Sequence, residues 1–282
     1  MSTATLHSPA TSSSAAARGR ARRADFRCLM RSELTKLSTL RSTWWSLGAM
    51  ILLSLAFTVL ATSTLTSQWG TMSTADRSDF QHNTIGLVLQ PAAQFGQLAV
   101  CVLGVLLMSG EFSTGMIRAT VLAAPRRTPA LAAKAVTFAG LVFVLAELVA
   151  WPAVLLGASI TRSHASLSAT DPATIRAALA FGAYMALMGL IALAIGTLVR
   201  HTAGAVSLVV AVQFVLPIGL SQVSGSLGAH LTGAVPSGAI AMLGSGHDSS
   251  TAYSPLASFL ILGAWAAALL TVAGLAFKKR DV

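Results

Sequence analysis

Apolar positions along the chain gather into six long runs, approximately residues 44–64, 88–109, 135–156, 177–199, 203–221 and 256–277, separated by short polar stretches. Each run reaches the roughly 20 mostly apolar residues that a helix needs to cross the hydrocarbon of a bilayer. Backbone N–H and C=O groups find no water there, so the chain must satisfy them internally, as a helix does. The pattern predicts an all-α membrane protein with a six-helix transmembrane domain over residues 42–282. Trp44 and Trp45 open the first run, and Lys278, Lys279 and Arg280 close the last, the residue types expected at membrane–water interfaces. Only Arg200, His201 and Thr202 separate the fourth run from the fifth, which makes those two helices a tight antiparallel hairpin. Gly182, Gly189 and Gly196 recur every seven residues on the fourth run, a seam where another helix can pack closely.

Ahead of the first run the pattern changes. Phe26, Leu29, Met30, Leu34, Leu37 and Leu40 recur at spacings of three and four, while Arg27, Arg31 and Lys36 lie off that stripe. This predicts an amphipathic helix over residues 25–41. It either lies in the headgroup plane, apolar face down and cations toward anionic lipid, or docks on a partner protein as a solvated helix. Residues 1–24 are Ser, Thr, Ala and Arg with no acid before Asp25. A disordered basic cytosolic tail and an organellar transit peptide share that composition, and the tail is the favoured reading. The stretch lacks the apolar core of a secretory signal. Between the fifth and sixth runs, the semi-apolar residues 235–243 fit a short re-entrant element shielded by protein.

Composition excludes a soluble globule. Apolar residues make up 54% of the 282, charged residues only 10%, and the mean hydropathy is +0.72, whereas soluble domains carry about 25% charged residues. A net charge of +10 raises nucleic acid as a partner, but the basic residues sit in short segments between apolar runs and form no stripe on a folded face, so none is expected. Their distribution fixes an orientation. With a cytosolic N-terminus, counting from Arg27, twelve Lys and Arg fall inside and only Arg77, Arg162 and Arg176 outside, so both termini are expected in the cytosol. Cys28 and Cys101 fall on a cytosolic segment and inside an apolar run, where a stabilising disulfide is not expected.

Catalytic patterns are missing. A phosphate-binding loop needs Gly before Lys and Ser or Thr, and the four lysines follow Thr35, Ala133, Phe277 and Lys278. The histidines at 7, 82, 164, 201, 230 and 247 are far apart, with no HExxH, so neither a metal centre nor a cofactor is expected. Ser245, His247 and Asp248 carry the residue types of a hydrolase triad, but one Gly- and Ser-rich loop does not orient all three, and no GxSxG elbow accompanies them. The chain reads as a non-enzyme. Polar residues within the runs are the remaining candidates. Glu147, near the middle of the third run, costs about 2.5–3.5 kcal/mol to bury on insertion scales. It is either a substrate or proton site or a neutral acid hydrogen-bonded to a neighbouring helix. Gln90, Gln94, Gln97, Cys101 and Gly104 share one face of the second run, with Ser54, Thr58 and Gln213 on others. Such a stripe lines a passage or supplies interhelical hydrogen bonds, the passage being slightly favoured.

Residues 111–134 read E-F-S-T-G-M-I-R-A-T-V-L-A-A-P-R-R-T-P-A-L-A-A-K, joining the second and third runs through a short helix around 115–124 that stops at Pro125. With E-L-T-K-L at 33–37, L-V-R-H-T-A-G-A at 198–205 and the terminal K-K-R-D-V, the sequence from about residue 25 onward resembles permease subunits of ATP-binding-cassette transporters of the type-two exporter class. The resemblance implies a multi-pass protein of a bacterial plasma membrane that pairs with a second permease subunit, as a homo- or heterodimer, and docks a separate cytosolic ATPase. It implies that Glu111, Gly115, Arg118, Pro125, Arg126 and Arg127 form the element coupling to that ATPase, with Glu111 receiving a cation or capping the local helix. Gln94, Gln97, Glu147 and Gln213 are the expected translocation-pathway residues. Two other readings stand beside it: a proton-coupled secondary transporter using Glu147, and a membrane scaffold or sensor.

Overall fold

The computed structural model describes residues 26–113, 127–244 and 252–279. The expected tail 1–24, the cytosolic helix around 115–124 and Ser245, His247 and Asp248 lie outside the described residues. Those described are helical throughout their regular structure, with no strand among them. Helix α1 spans Phe26–Thr39 and α2 Arg41–Ser67. A single 3-10 turn, Trp69–Thr71, leads to α3 at Thr74–His82, followed by α4 at Thr84–Ser113. Next come α5 at Arg127–Thr161 and α6 at Pro172–Val199. Helix α7 (Thr202–Val210), a π-turn (Ala211–Val215) and α8 (Leu216–Ser221) form one interrupted rod. Helix α9 (Gly225–Ala234), a 3-10 segment (Pro236–Leu243) and α10 (Pro255–Lys279) complete the chain. Six stretches are long and apolar enough to cross a membrane: Arg41–Ser67, Thr84–Phe112, Pro129–Thr161, Pro172–Val199, Thr202–Ser221 and Pro255–Lys278. They contain the six runs read from the sequence, extended at their ends, and make the architecture that of a multi-pass membrane protein.

Helices α4 and α6 form the centre. In lipid, helices gain nothing hydrophobic by leaving the tails, so close packing and hydrogen bonds hold them together. The glycine seam provides the first: a Cβ on Gly104 would lie 2.7 Å from the Gly189 carbonyl oxygen, and one on Gly196 3.1 Å from Val105 Cα. Side-chain hydroxyls provide the second. Ser54 Oγ donates to the Ala92 carbonyl at 3.0 Å and Thr58 Oγ1 to the Val88 carbonyl at 3.3 Å, tying α2 along α4 beside the helix-internal Pro91. Phe57 stacks on Phe95 in the same interface. Helix α5 covers another side of α6 with buried Phe138, Val142, Ala146 and Ala150. Helices α2, α7–α8 and α10 turn large apolar side chains outward, among them Leu52, Leu60, Val215, Ile218, Leu256 and Leu260, as helices bordering lipid do.

Both described ends of the chain lie at one end of the bundle, called proximal below. Phe112 at the end of α4 packs edge-on to Phe277 of α10, and the Arg200 guanidinium sits 4.8 Å over the Phe112 ring. Arg200 caps α6 with a left-handed backbone, φ 61°, which turns the chain directly into α7. At the opposite, distal end, α3 is an element the apolar pattern did not anticipate. A capping box starts it, with Ser73 and Asp76 each bonding the other's backbone N–H. Segment 236–244 is wedged inward there, held by Arg176, which donates to the Gly244 carbonyl at 2.5 Å and the Met242 carbonyl at 3.4 Å.

Helix α1 packs on the bundle through a narrow face. Its buried side chains are Glu33 and Leu37, while Phe26, Leu34 and Leu40 of the predicted apolar stripe are exposed. The reason is electrostatic: the surface against which α1 packs presents a buried lysine, and α1 turns a carboxylate toward it.

Candidate functional site

Three polar groupings lie within the helices. The first is a hydrogen-bonded cluster in the middle of the bundle. Gln97 is buried on the inner face of α4, one turn from Gln94, and its Nε2 donates to the Gln94 carbonyl at 3.1 Å. Its Oε1 accepts from the Tyr184 hydroxyl of α6 at 2.7 Å and from Gln213 Nε2 at 3.3 Å. Gln213 reaches inward because it sits in the π-turn. Pro217 has no N–H to give the Gln213 carbonyl four residues earlier, and the helix widens there to an i→i+5 pattern, with Leu216 N–H donating to the Ala211 carbonyl. The extra residue points Gln213 at α4 while Val215 and Ile218 face outward. With Nε2 committed to Gln97, Gln213 Oε1 is buried without a partner.

Two cavities open beside this cluster and share Gln94 and Ile240 as a common wall. One, of about 560 Å³, lies between Gln94 of α4, the Gln213–Ser221 part of the fifth rod, α9, the 3-10 segment and the start of α10. The other, of about 580 Å³, lies between α2 and α4, lined by Phe57, Leu60, Thr64, Gln90, Gln94 and Phe95. Gln90 and Gln94 are half-buried, so the polar face of α4 borders open space instead of a closed packing interface.

The second grouping is ionic and lies at the proximal end. Lys134 Nζ is 2.5 Å from Glu33 Oε2 and 2.8 Å from Glu111 Oε1. Lys36 Nζ is 2.7 Å from Glu33 Oε1 and 3.2 Å from Glu111 Oε1. Two carboxylates and two ammonium groups balance, and all but Lys36 are over nine-tenths buried. Burial pushes the Glu33 carboxyl up, but the charge and hydrogen bond of Lys134, with the hydrogen bond from Lys36, outweigh it and hold the carboxyl below its ordinary range. Burial pulls the Lys36 ammonium down, and Glu33 and Glu111 outweigh that too, raising it. The cluster joins α1, the end of α4 and the start of α5. Glu111 receives two cations. Gly115, Arg118, Pro125 and Arg126 lie outside the described residues, and of Arg127 only the backbone at the start of α5 is described.

The third is Glu147, at the contact of α5 with α6. A Cβ on Gly182 would collide with its Oε1, so the missing side chain at Gly182 makes room for the carboxyl. That oxygen has no hydrogen-bond partner, and Glu147 belongs to the wall of neither cavity above. Of the four expected pathway residues, the structure brings Gln94, Gln97 and Gln213 together and places Glu147 on another interface. Sequence reasoning missed Tyr184 as their partner, and it missed Glu33 and Lys134 as a pair, because 87 and 101 positions separate the members. Among the described residues no cluster of His, Cys, Asp and Glu is arranged to hold a metal ion. No protein-family model and no curated protein matches the chain.

Proposed function

We propose that the chain is the transmembrane permease subunit of an ATP-binding-cassette exporter in a bacterial plasma membrane. In this reading both termini are cytosolic, a second permease subunit completes the transport path, and a separate cytosolic ATPase supplies the energy. The observation that carries the reading is the pair of cavities along α4. Half-buried glutamines within a membrane-spanning helix are costly to leave against lipid. A second subunit packed across α2 and α7–α8 would shield Gln90 and Gln94 and join the two cavities into one passage.

The ionic cluster supports the energy route. Glu111, near the end of α4, and Lys134, in the first turns of α5, flank the connection in which the coupling element is expected, and they are paired. A force on that loop is then delivered to α4, α5 and α1 as one unit. Arg118, Arg126 and Arg127 would meet acidic groups of the ATPase, and charged hydrogen bonds of that kind are the strong ones. Glu147, remote from the cavities, does not favour the proton-coupled alternative.

The test is copurification. Expressed with the cytosolic ATP-binding-cassette ATPases of its own genome, the wild-type chain should retain one of them through purification. Reversing charge at Arg118 and Arg126 together should lower retention at least tenfold with membrane insertion intact. Retention at the wild-type level by the double variant, or transport driven by a pH gradient without ATP, would refute the proposal.

A further inference from the structure

A further cavity, of about 510 Å³, lies at the distal end of the bundle. Its wall is Gln81 and His82, at the end of α3, with residues 162–166 of the loop that follows α5. The membrane-spanning stretches Pro129–Thr161 and Thr84–Phe112 end beside these residues, so the cavity lies where the spans leave the hydrocarbon, at headgroup depth. Its volume falls within the range of small-molecule sites. Three arginines stand at this end. Arg77 donates to the Trp69 and Gly70 carbonyls at 3.1 and 3.2 Å, and Arg176 to those of Met242 and Gly244. Arg162 borders the cavity with no hydrogen-bond or ionic partner among the described residues. A guanidinium is a planar fork of donors suited to two oxygens of one phosphoryl group.

The other polar groups of the wall are set in sense by bonds already made. His164 packs on Trp69, ring centroids 4.5 Å apart, and its Nδ1 lies 2.6 Å from Ser163 Oγ. With that hydroxyl donating to Nδ1, the ring proton sits on Nε2, a second donor for an anion. His82 has the opposite sense. Its Nδ1 donates to the Ser78 carbonyl at 2.7 Å, since a carbonyl only accepts, and Nε2 of the neutral ring is then an acceptor. Gln81 Nε2 donates to the His164 carbonyl at 3.0 Å, which leaves Oε1 to accept. The loop thus offers donors, from Arg162, His164 and Ser166, and α3 offers acceptors, from Gln81 and His82. A bare anion answers only the first set; an anion that carries hydroxyl groups answers both.

We infer that this cavity binds a glycerophosphoryl group, its phosphoryl oxygens on Arg162, His164 and Ser166 and its glycerol hydroxyls donating to His82 Nε2 and Gln81 Oε1. A lipid headgroup and a soluble phosphoester both carry that group, and the experiment separates them. The inference needs neither the permease reading nor its orientation.

The lipid probe is phosphatidylglycerol with a diazirine at the glycerol-proximal end of one chain, photo-crosslinked to the full-length protein in phosphatidylcholine nanodiscs and mapped by mass spectrometry. Labelling should concentrate on peptides holding residues 80–84 and 162–168. Unlabelled phosphatidylglycerol should compete there at a mole fraction about fivefold below that of phosphatidylmethanol, which has the same charge and lacks the hydroxyl donors. Arg162→Gln should reduce the labelling by about tenfold, the loss of a charged hydrogen bond. His82→Phe keeps a ring and loses the acceptor, so it should erase the preference over phosphatidylmethanol. Arg162 and His82 are both exposed, so neither variant disturbs the packing of the bundle. Arg31→Gln, on α1 at the other end, should leave labelling of these peptides unchanged. Isothermal titration with glycerol 3-phosphate covers the soluble source: binding that Arg162→Gln abolishes, without selective lipid labelling, would assign the site to a soluble phosphoester. Failure of both probes, equal competition by the two lipids, or full labelling of Arg162→Gln would overturn the inference.

Discussion

Replacing Lys134 with methionine removes one of two cations from the proximal cluster and keeps nearly the same side-chain volume. Its ammonium bridges Glu33 at 2.5 Å and Glu111 at 2.8 Å, and the three side chains are 7%, 8% and 9% exposed. The variant leaves two carboxylates facing Lys36 alone, with one negative charge in excess in a place water barely reaches. Breaking a buried pair in this way costs about 3–5 kcal/mol, a hundredfold to several-thousandfold change in equilibrium constant at about 1.36 kcal/mol per decade. Charge balance is the stated cause, so it can be restored. In Lys134→Met with Glu33→Gln, the Lys36–Glu111 pair at 3.2 Å remains and nothing is left in excess. The double variant should then be more stable than the single by at least about 1.5 kcal/mol, a coupling of the size seen between groups in one network. Reversible unfolding in mixed micelles with increasing dodecyl sulfate fraction measures this. Trp44, whose indole donates to the Ser38 carbonyl at 2.9 Å, offers a fluorescence signal from the junction of α1 and α2. A single-variant cost below about 1 kcal/mol, or equal stability of single and double variants, would refute the electrostatic account of how α1 is held.

The same cluster sets a pH dependence. Glu33 is depressed, so its contribution is present above its unfolded pKa and lost as pH falls through its folded one; Lys36 is raised, so its contribution is present below its unfolded pKa and lost as pH rises through its folded one. Docking of α1, followed by thiol labelling of Leu37→Cys, at a position buried against the bundle, in a background without Cys28 and Cys101, should be flat across neutral pH and loosen only below the ordinary carboxylate range or above the ordinary lysine range; loosening near pH 7 would contradict it. Gly104→Ala meets the Gly189 carbonyl oxygen, a backbone atom that cannot swing aside, and should cost about 1–3 kcal/mol. Gly140→Ala meets open space and should be neutral or stabilising by up to about 1 kcal/mol, so equal effects in the same micelle titration would count against the seam. Glu147→Gln keeps the shape of a side chain that lines neither cavity, so under the proposed exporter function, transport should stay within about twofold of wild type; a loss of tenfold or more would reinstate Glu147 as a pathway residue.

The spans were legible because a run of about 20 apolar residues has few other uses. Their ends were not, since backbone hydrogen bonding continues into polar residues at the interface: α5 begins at Arg127 where the apolar run begins near 135. Helix α3 carried a readable signal in Ser73 and Asp76, three residues apart, but its short polar stretch has no apolar period to draw attention to it. Pro217 likewise marked a break in the fifth run, though nothing in the sequence said that it would be met by a π-turn pointing Gln213 inward. The glutamine stripe on α4 was visible from spacing alone. Its partner Tyr184, and the pairing of Glu33 with Lys134, depend on which helices become neighbours, and no local pattern encodes that. Helix α1 illustrates the difference: periodicity identified a helix with an apolar side, while the pairing of its Glu33 with a lysine about a hundred residues away has no local signature.

Backbone-to-backbone contact at Gly104, Gly189 and Gly196 has a mechanical meaning. Helices separated by layers of side chains can slide or tilt as those side chains change rotamer, but at these glycines α4 and α6 touch with no such layer between them, which opposes sliding of the pair. Helices α2, α7–α8 and α10 lean on that pair by one flank and turn large apolar side chains outward on the other. Helix α1, joined to α2 through the single extended residue Leu40 and clamped to the ends of α4 and α5, links the proximal cluster to α2, whose far half carries Phe57, Leu60 and Thr64 at the second cavity.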